Sequence, residues 1–108
     1  MKTFVILSQR NKNINLDINF TKNNNNPLVI FSHGFKGFKD WGPFNFISDK
    51  FVKSGLNFLK FNFSHNGITS EKPLEFTDLE AFGNNNFSIE LEDLESVIGW
   101  AKNNLNQK

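Results

Sequence analysis

The stretch Leu28 to Gly42, L-V-I-F-S-H-G-F-K-G-F-K-D-W-G, constrains this chain more than any other. Leu28, Val29, Ile30 and Phe31 form a short apolar run bounded by Pro27 and Gly34, which reads as a buried strand. The run then stops, and Gly34, Gly37 and Gly42 punctuate a polar and aromatic loop. Pro43 follows where a helix can begin, because its missing N–H is no loss at a first helical position. In a strand, glycine loop and helix start of this kind, backbone N–H groups can converge on one spot, and glycine lets the chain fold back without a side chain in the way. Such a spot attracts negative charge.

The remaining elements surround this stretch. Phe4 to Leu7 and Ile14 to Phe20 are strand candidates, the second alternating apolar and polar so that one face is expected to be wet. The polar link Ser8 to Asn13 is short enough for an antiparallel hairpin. Phe44, Ile47, Phe51 and Val52 recur at helical spacing, and Ser54-Gly55 ends that helix with a residue suited to a left-handed turn. Leu56 to Phe63 is another strand, so strand, helix and strand form a parallel crossover. Thr69 to Asn86 shows no sustained period and is expected to be a long loop. Ser88 is a plausible N-cap for a last helix, with Leu91, Leu94, Ile98, Ala101 and Leu105 along one face. The fold class is α/β, in a single domain spanning 1–108 with no repeat or linker.

Composition narrows the functions. Fourteen phenylalanines supply a core, so the chain is globular rather than disordered. A net charge of +1 lacks the basic excess that phosphate-backbone binding needs, which sets nucleic acid aside. Eight acids against one lysine between Glu71 and Glu95 read as a solvated acidic face. With no cysteine there are no disulfides and no thiolate chemistry. Two histidines without H-E-x-x-H spacing give no metal site. The apolar run Phe4 to Leu7 is too short for a signal-peptide core and no stretch reaches membrane-spanning length, so a cytoplasmic location away from membranes is expected.

F-S-H-G-F-K-G at Phe31 to Gly37, then Trp41 and a helix, then F-N-F-S-H-N-G at Phe61 to Gly67 and a helix reaching Trp100, together resemble the N-terminal part of the α/β-hydrolase superfamily, especially its compact esterase and peptidase-like members. The resemblance implies an N-terminal antiparallel hairpin followed by strand, helix, strand and helix, in a sheet cut before the nucleophile elbow. It also implies that His33, Gly34 and Gly37 shape an oxyanion loop, with the backbone N–H of Phe35 as the donor, and that Ser64 and His65 lie near the substrate mouth. None of the eight serines lies in G-x-S-x-G, so the chain is expected to be the first part of a longer serine hydrolase and inactive alone, its nucleophile, acid and base lying elsewhere. The complete enzyme would act on a small-molecule ester, or on an amide or peptide, by acyl transfer without a cofactor. The sequence leaves its oligomeric state open.

Each residue has a plainer alternative. His33 invites the role of catalytic base by residue type, whereas a hydrogen-bonded structural role fits its place in the loop. The Phe35 N–H could belong to an ordinary tight turn, and His65 could simply be solvated. Gly34 to Gly42, with Lys36 and Lys39, could bind a phosphate ligand, although it matches neither G-x-x-x-x-G-K-[ST] nor G-x-G-x-x-G. A third reading is a noncatalytic interaction module on a truncated hydrolase scaffold. In a sheet cut before the elbow strand, the strand at Leu28 to Phe31 would be an open apolar edge.

Overall fold

The computed structural model describes residues 1–22, 25–34, 37–69 and 71–105. Two N-terminal strands, β1 (Lys2–Leu7) and β2 (Asn13–Asn19), form the expected antiparallel hairpin, with Lys2 opposite Ile18 and Leu7 opposite Asn13. They are followed by β3 (Leu28–Ser32), α1 (Phe44–Lys53), β4 (Asn57–Phe61), α2 (Leu79–Asn84) and α3 (Phe87–Asn104). The sheet order is β1-β2-β4-β3, with β4 antiparallel to β2 and parallel to β3. Strand β3 is therefore an edge strand, as expected.

The two faces of the sheet bury different chemistry. On one, Ile14, Leu16 and Ile18 of β2 join Leu59 and Phe61 of β4, and Val97 of α3 packs onto them with Leu94 and Trp100 alongside. Phe4 meets Trp100 with ring centroids 5.0 Å apart. On the other, Phe31 of β3 contacts Phe44 of α1 and Phe58 of β4 contacts Phe51 of α1, at centroid separations of 4.6 and 5.2 Å, with Phe31 and Phe58 5.9 Å apart. Ser48 of α1 is fully buried there, small enough for the helix to lie close to β2.

Helix α1 ends where the sequence places its end. Gly55 has φ +90°, its N–H donates to Val52 O, and Leu56 N–H donates to Phe51 O. This pair of bonds is the Schellman motif, which satisfies the last carbonyls of the helix.

Five expectations are corrected. The polar face of β2 is not wet: Asn15 and Asp17 are buried, because Asp17 has cationic partners inside the protein. Strand β4 stops at Phe61 rather than Phe63. The segment Thr69 to Asn86 contains α2, whose six residues are too few to show a helical period and whose cap is the Asp78 side chain accepting from Ala81 N–H. The N-cap of α3 is Asn86, which accepts from Ile89 N–H at 2.9 Å, and not Ser88; asparagine caps as well as serine. The buried face of α3 is Ile89, Asp93, Val97 and Ala101, whereas Leu91 is 50% exposed and Ile98 36%. An apolar count overlooked that face because Asp93 belongs to it.

The acidic stretch is also more than a solvated face. Glu92 takes two hydrogen bonds from Arg10, Asp78 pairs with Lys12, and Asp93 is buried, so three of its acids tie to other parts of the fold. Among the described residues no helix is long and apolar enough to cross a membrane.

Candidate active site

Because β3 and β4 are parallel, their C-terminal ends lie side by side and bring His33 and Gly34 next to Phe63 to Asn66. His33 is buried. Its Nε2 accepts from Phe63 N–H at 3.2 Å, and an acceptor carries no proton, so the proton is on Nδ1 and is donated to Gly34 O at 3.0 Å. Burial holds the imidazole pKa below its ordinary value. A neutral ring with both nitrogens engaged fastens the loop to β4 and has no free lone pair for a nucleophile.

Gly37 shows why glycine is needed here. Its N–H donates to Gly34 O at 2.8 Å, and a Cβ at this position would sit 2.8 Å from that oxygen and 3.0 Å from His33 Cβ. A Cβ on Gly34 would meet nothing within 4 Å, so only one of these two glycines is sterically required. Phe35 and Lys36 lie outside the described residues.

Sequence reasoning missed the groups that hold this loop from behind. Asn66 Nδ2 bridges Asn62 Oδ1 at 3.2 Å and Gly37 O at 3.4 Å, and Asn62 Oδ1 also accepts from Lys39 N–H at 2.7 Å. The spacing Asn62 to Asn66, around a turn, was the available signal. Below them lies a buried ionic cluster. Lys39 Nζ donates to Asp17 at 2.8 Å and Asp40 at 2.7 Å; Lys60 Nζ donates to the same two carboxylates at 3.1 Å and to Lys39 O at 2.9 Å. Thr3 Oγ1 completes the set by donating to Asp17 Oδ1. Burial alone would lower the Lys39 pKa, but hydrogen bonds and charge from Asp17 and Asp40 outweigh it and raise the pKa; Asp17 is likewise penalised by burial yet held below the usual range, chiefly by Lys39. A lysine inside the apolar strand β4, directly across from Asp17, was the signal for this cluster.

Ser64 and His65 belong to a different constellation. Ser64 is 3% exposed, and its Oγ lies 2.7 Å from His65 Nδ1 and 2.8 Å from Asp93 Oδ2, while its N–H donates to the same carboxylate oxygen at 2.7 Å. These are the residue types of a hydrolytic triad in the wrong order, for a triad needs histidine between serine and carboxylate. The single hydroxyl proton goes to Asp93, leaving His65 Nδ1–H to donate to Ser64 Oγ. The serine is therefore not activated, and it anchors α3 to the end of β4. Burial raises the Asp93 pKa against the hydrogen bonds from Ser64, and burial lowers that of His65.

His33, Gly34 and Asn66 line a cavity of about 240 Å³ together with Phe82, Phe87 and Glu90. Ser64 and His65 face two other hollows, each shared with Lys12 and Asp78. The structure thus brings His33, Gly34 and Gly37 together and separates Ser64 and His65 from their cavity.

No protein-family model and no curated protein matches the sequence. Among solved structures, an α/β serine hydrolase homologue from Coxiella burnetii is similar at 18% identity and a TM-score of 0.66, covering 99% of this chain and 48% of its own. A protein of unknown function from Agrobacterium tumefaciens, described as a candidate α/β hydrolase, is similar at 19% identity and a TM-score of 0.66, covering 94% of this chain and 43% of its own. The chain thus spans about half the length of these neighbours. At such identities the likeness concerns the fold alone, which matches the N-terminal part of the α/β-hydrolase fold.

Proposed function

We propose that this chain is the oxyanion-loop segment of a serine hydrolase that cleaves an ester, or an amide, by acyl transfer without a cofactor, and that it is inactive alone. The observation that carries this reading is the loop after β3: His33 fastens it to β4, Gly37 closes it onto Gly34, and a cavity opens beside it. In this reading the Phe35 N–H donates to the oxyanion, and losing one such donor typically costs about a hundred- to a thousandfold in rate. The scaffold supports a hydrolase, and the acyl-transfer chemistry comes from the resemblance in F-S-H-G-F-K-G.

Phosphate binding at Gly34 to Gly42 is the weaker reading, because Lys39 Nζ is committed to Asp17 and Asp40 and Glu90 lines the adjacent cavity. The noncatalytic module draws its support from β3, an apolar strand at the sheet edge. The test is turnover of p-nitrophenyl acetate by purified 1–108 and by the product of the reading frame extended past Lys108. The proposal expects no turnover above a denatured control by 1–108, and turnover by the longer protein. Activity of 1–108 itself, or none in a folded longer product, would overturn it.

A further inference from the structure

We propose that the end of the molecule remote from the His33 loop is a docking face for an anionic lipid bilayer. A net charge of +1 conceals how far the charges are separated. Lys2 lies opposite Ile18, and Lys22 follows Thr21, whose N–H donates to Asn57 Oδ1, so both sit where β2 ends and β4 begins. Helix α1 leads into that same end of β4 and carries Lys50 and Lys53 in its last turn. Helix α3 leaves the other end, where Asp93 holds Ser64, and passes Phe4 at Trp100; it thereby carries Lys102, in its last turn, towards Lys2. All five lysines are exposed, and the one acid among them is Asp49. Eight acids between Glu71 and Glu95 belong to the segments around the opposite end.

Pairing sharpens the contrast. At the acidic end Arg10 pairs with Glu92, Lys12 with Asp78 and Lys72 with Glu75. Among the described residues none of the five lysines at the basic end has an ion-pair partner. Lys2 and Lys50 stand instead over the Phe20 and Phe46 rings, 5.9 and 5.3 Å from the centroids. The smallest extent of the molecule is 22 Å, more than twice the screening length of about 8 Å at physiological salt, so the acidic end does not cancel the basic one. Three features select a bilayer among polyanions. The cations are lysines, compact charges suited to a diffuse negative surface, whereas planar recognition of phosphate uses arginine; the single arginine, Arg10, is bound to Glu92 at the other end. They come from four segments on both sides of the sheet and so form a broad face. Phe46 is 63% exposed beside Lys50, so its ring can enter the headgroup region while the ammonium stays among the phosphates. Adsorption of this kind needs no spanning helix.

The test is co-sedimentation of purified 1–108 with phosphatidylcholine vesicles, with and without phosphatidylserine, over a salt series, beside titration of a DNA duplex as the competing polyanion. Binding is expected only to vesicles that contain phosphatidylserine, and should fall as salt rises. One lysine close to such a surface contributes about fivefold, so Lys53→Gln and Lys102→Gln should each weaken binding by about that factor. Phe46→Ser should weaken it with the salt dependence unchanged, and Lys72→Gln, at the acidic end, should leave it unaltered. All four positions are exposed, and a urea midpoint equal to the parent's separates lost binding from lost folding. Equal binding to both kinds of vesicle, no binding at low salt, a loss in Lys72→Gln equal to that in Lys53→Gln, or tighter binding to the duplex than to the vesicles would each overturn the proposal. Adsorption needs no nucleophile, so its failure leaves the hydrolase reading standing, and failure of ester turnover in the longer protein leaves adsorption standing.

Discussion

Gly37 and Gly55 separate two reasons for a glycine. At Gly55 the backbone is left-handed and the space around it open, so Gly55→Ala should cost only the conformational penalty of about 1–2 kcal/mol. At Gly37 the added carbon meets a backbone oxygen and the His33 side chain, so Gly37→Ala must displace the loop. Amide NMR should show shifts around Gly34 and His33 for Gly37→Ala and only local ones for Gly55→Ala; the reverse pattern would contradict the geometry. His33 makes stability depend on pH. Its folded pKa is depressed, so the unfolded chain takes up the proton first as pH falls. The stability it provides is complete above about pH 6.5, the unfolded value, and is lost as pH falls from there towards the folded value, at no more than about 1.4 kcal/mol per pH unit. His65, also depressed, acts in the same direction. Urea unfolding between these limits should show a shallower pH slope in His33→Asn than in the parent, and an equal slope would refute this assignment.

Elements show where patterns were legible and where they were not. β3 and the end of α1 could be read because apolar runs and Gly55 act through the backbone, which local sequence controls. The partners of Asp17 could not, since its alternating strand signals water unless the lysines 22 and 43 residues further along are known to fold onto it. The same blindness hid Asp93 on the inner face of α3, where Ser64 satisfies it. Of the candidate site, His33, Gly34 and Gly37 were legible from their loop, whereas Asn62 and Asn66 acquire a role only once the strands lie side by side. Two predictions belong here. Asp17→Asn leaves two buried lysines undercompensated and should cost about 3–5 kcal/mol in urea unfolding, the usual loss when one partner of a buried pair is removed. Asn86→Ala should cost about 1 kcal/mol as a lost cap, and Ser88→Ala close to nothing; equal losses would return the cap to Ser88.

At the scale of the whole molecule, a four-stranded mixed sheet with α1 on one face and α3 on the other matches about half the length of its two structural neighbours, and leaves β3 at an edge. In the proposed reading the loop that stabilises an oxyanion belongs to this chain and the serine that creates it does not. Its nearest internal rival is Ser64, which has His65 and Asp93 at hydrogen-bond distance but is buried and donates its proton to the carboxylate. Treating 1–108 and the extended-frame product with a fluorophosphonate, then mapping the adduct by mass spectrometry, tests this directly. The account predicts an adduct on one serine beyond residue 108 in the longer protein and none on the eight serines of this chain in either preparation. An adduct on Ser64, lost in Asp93→Asn, would contradict it and make this chain the catalytic one.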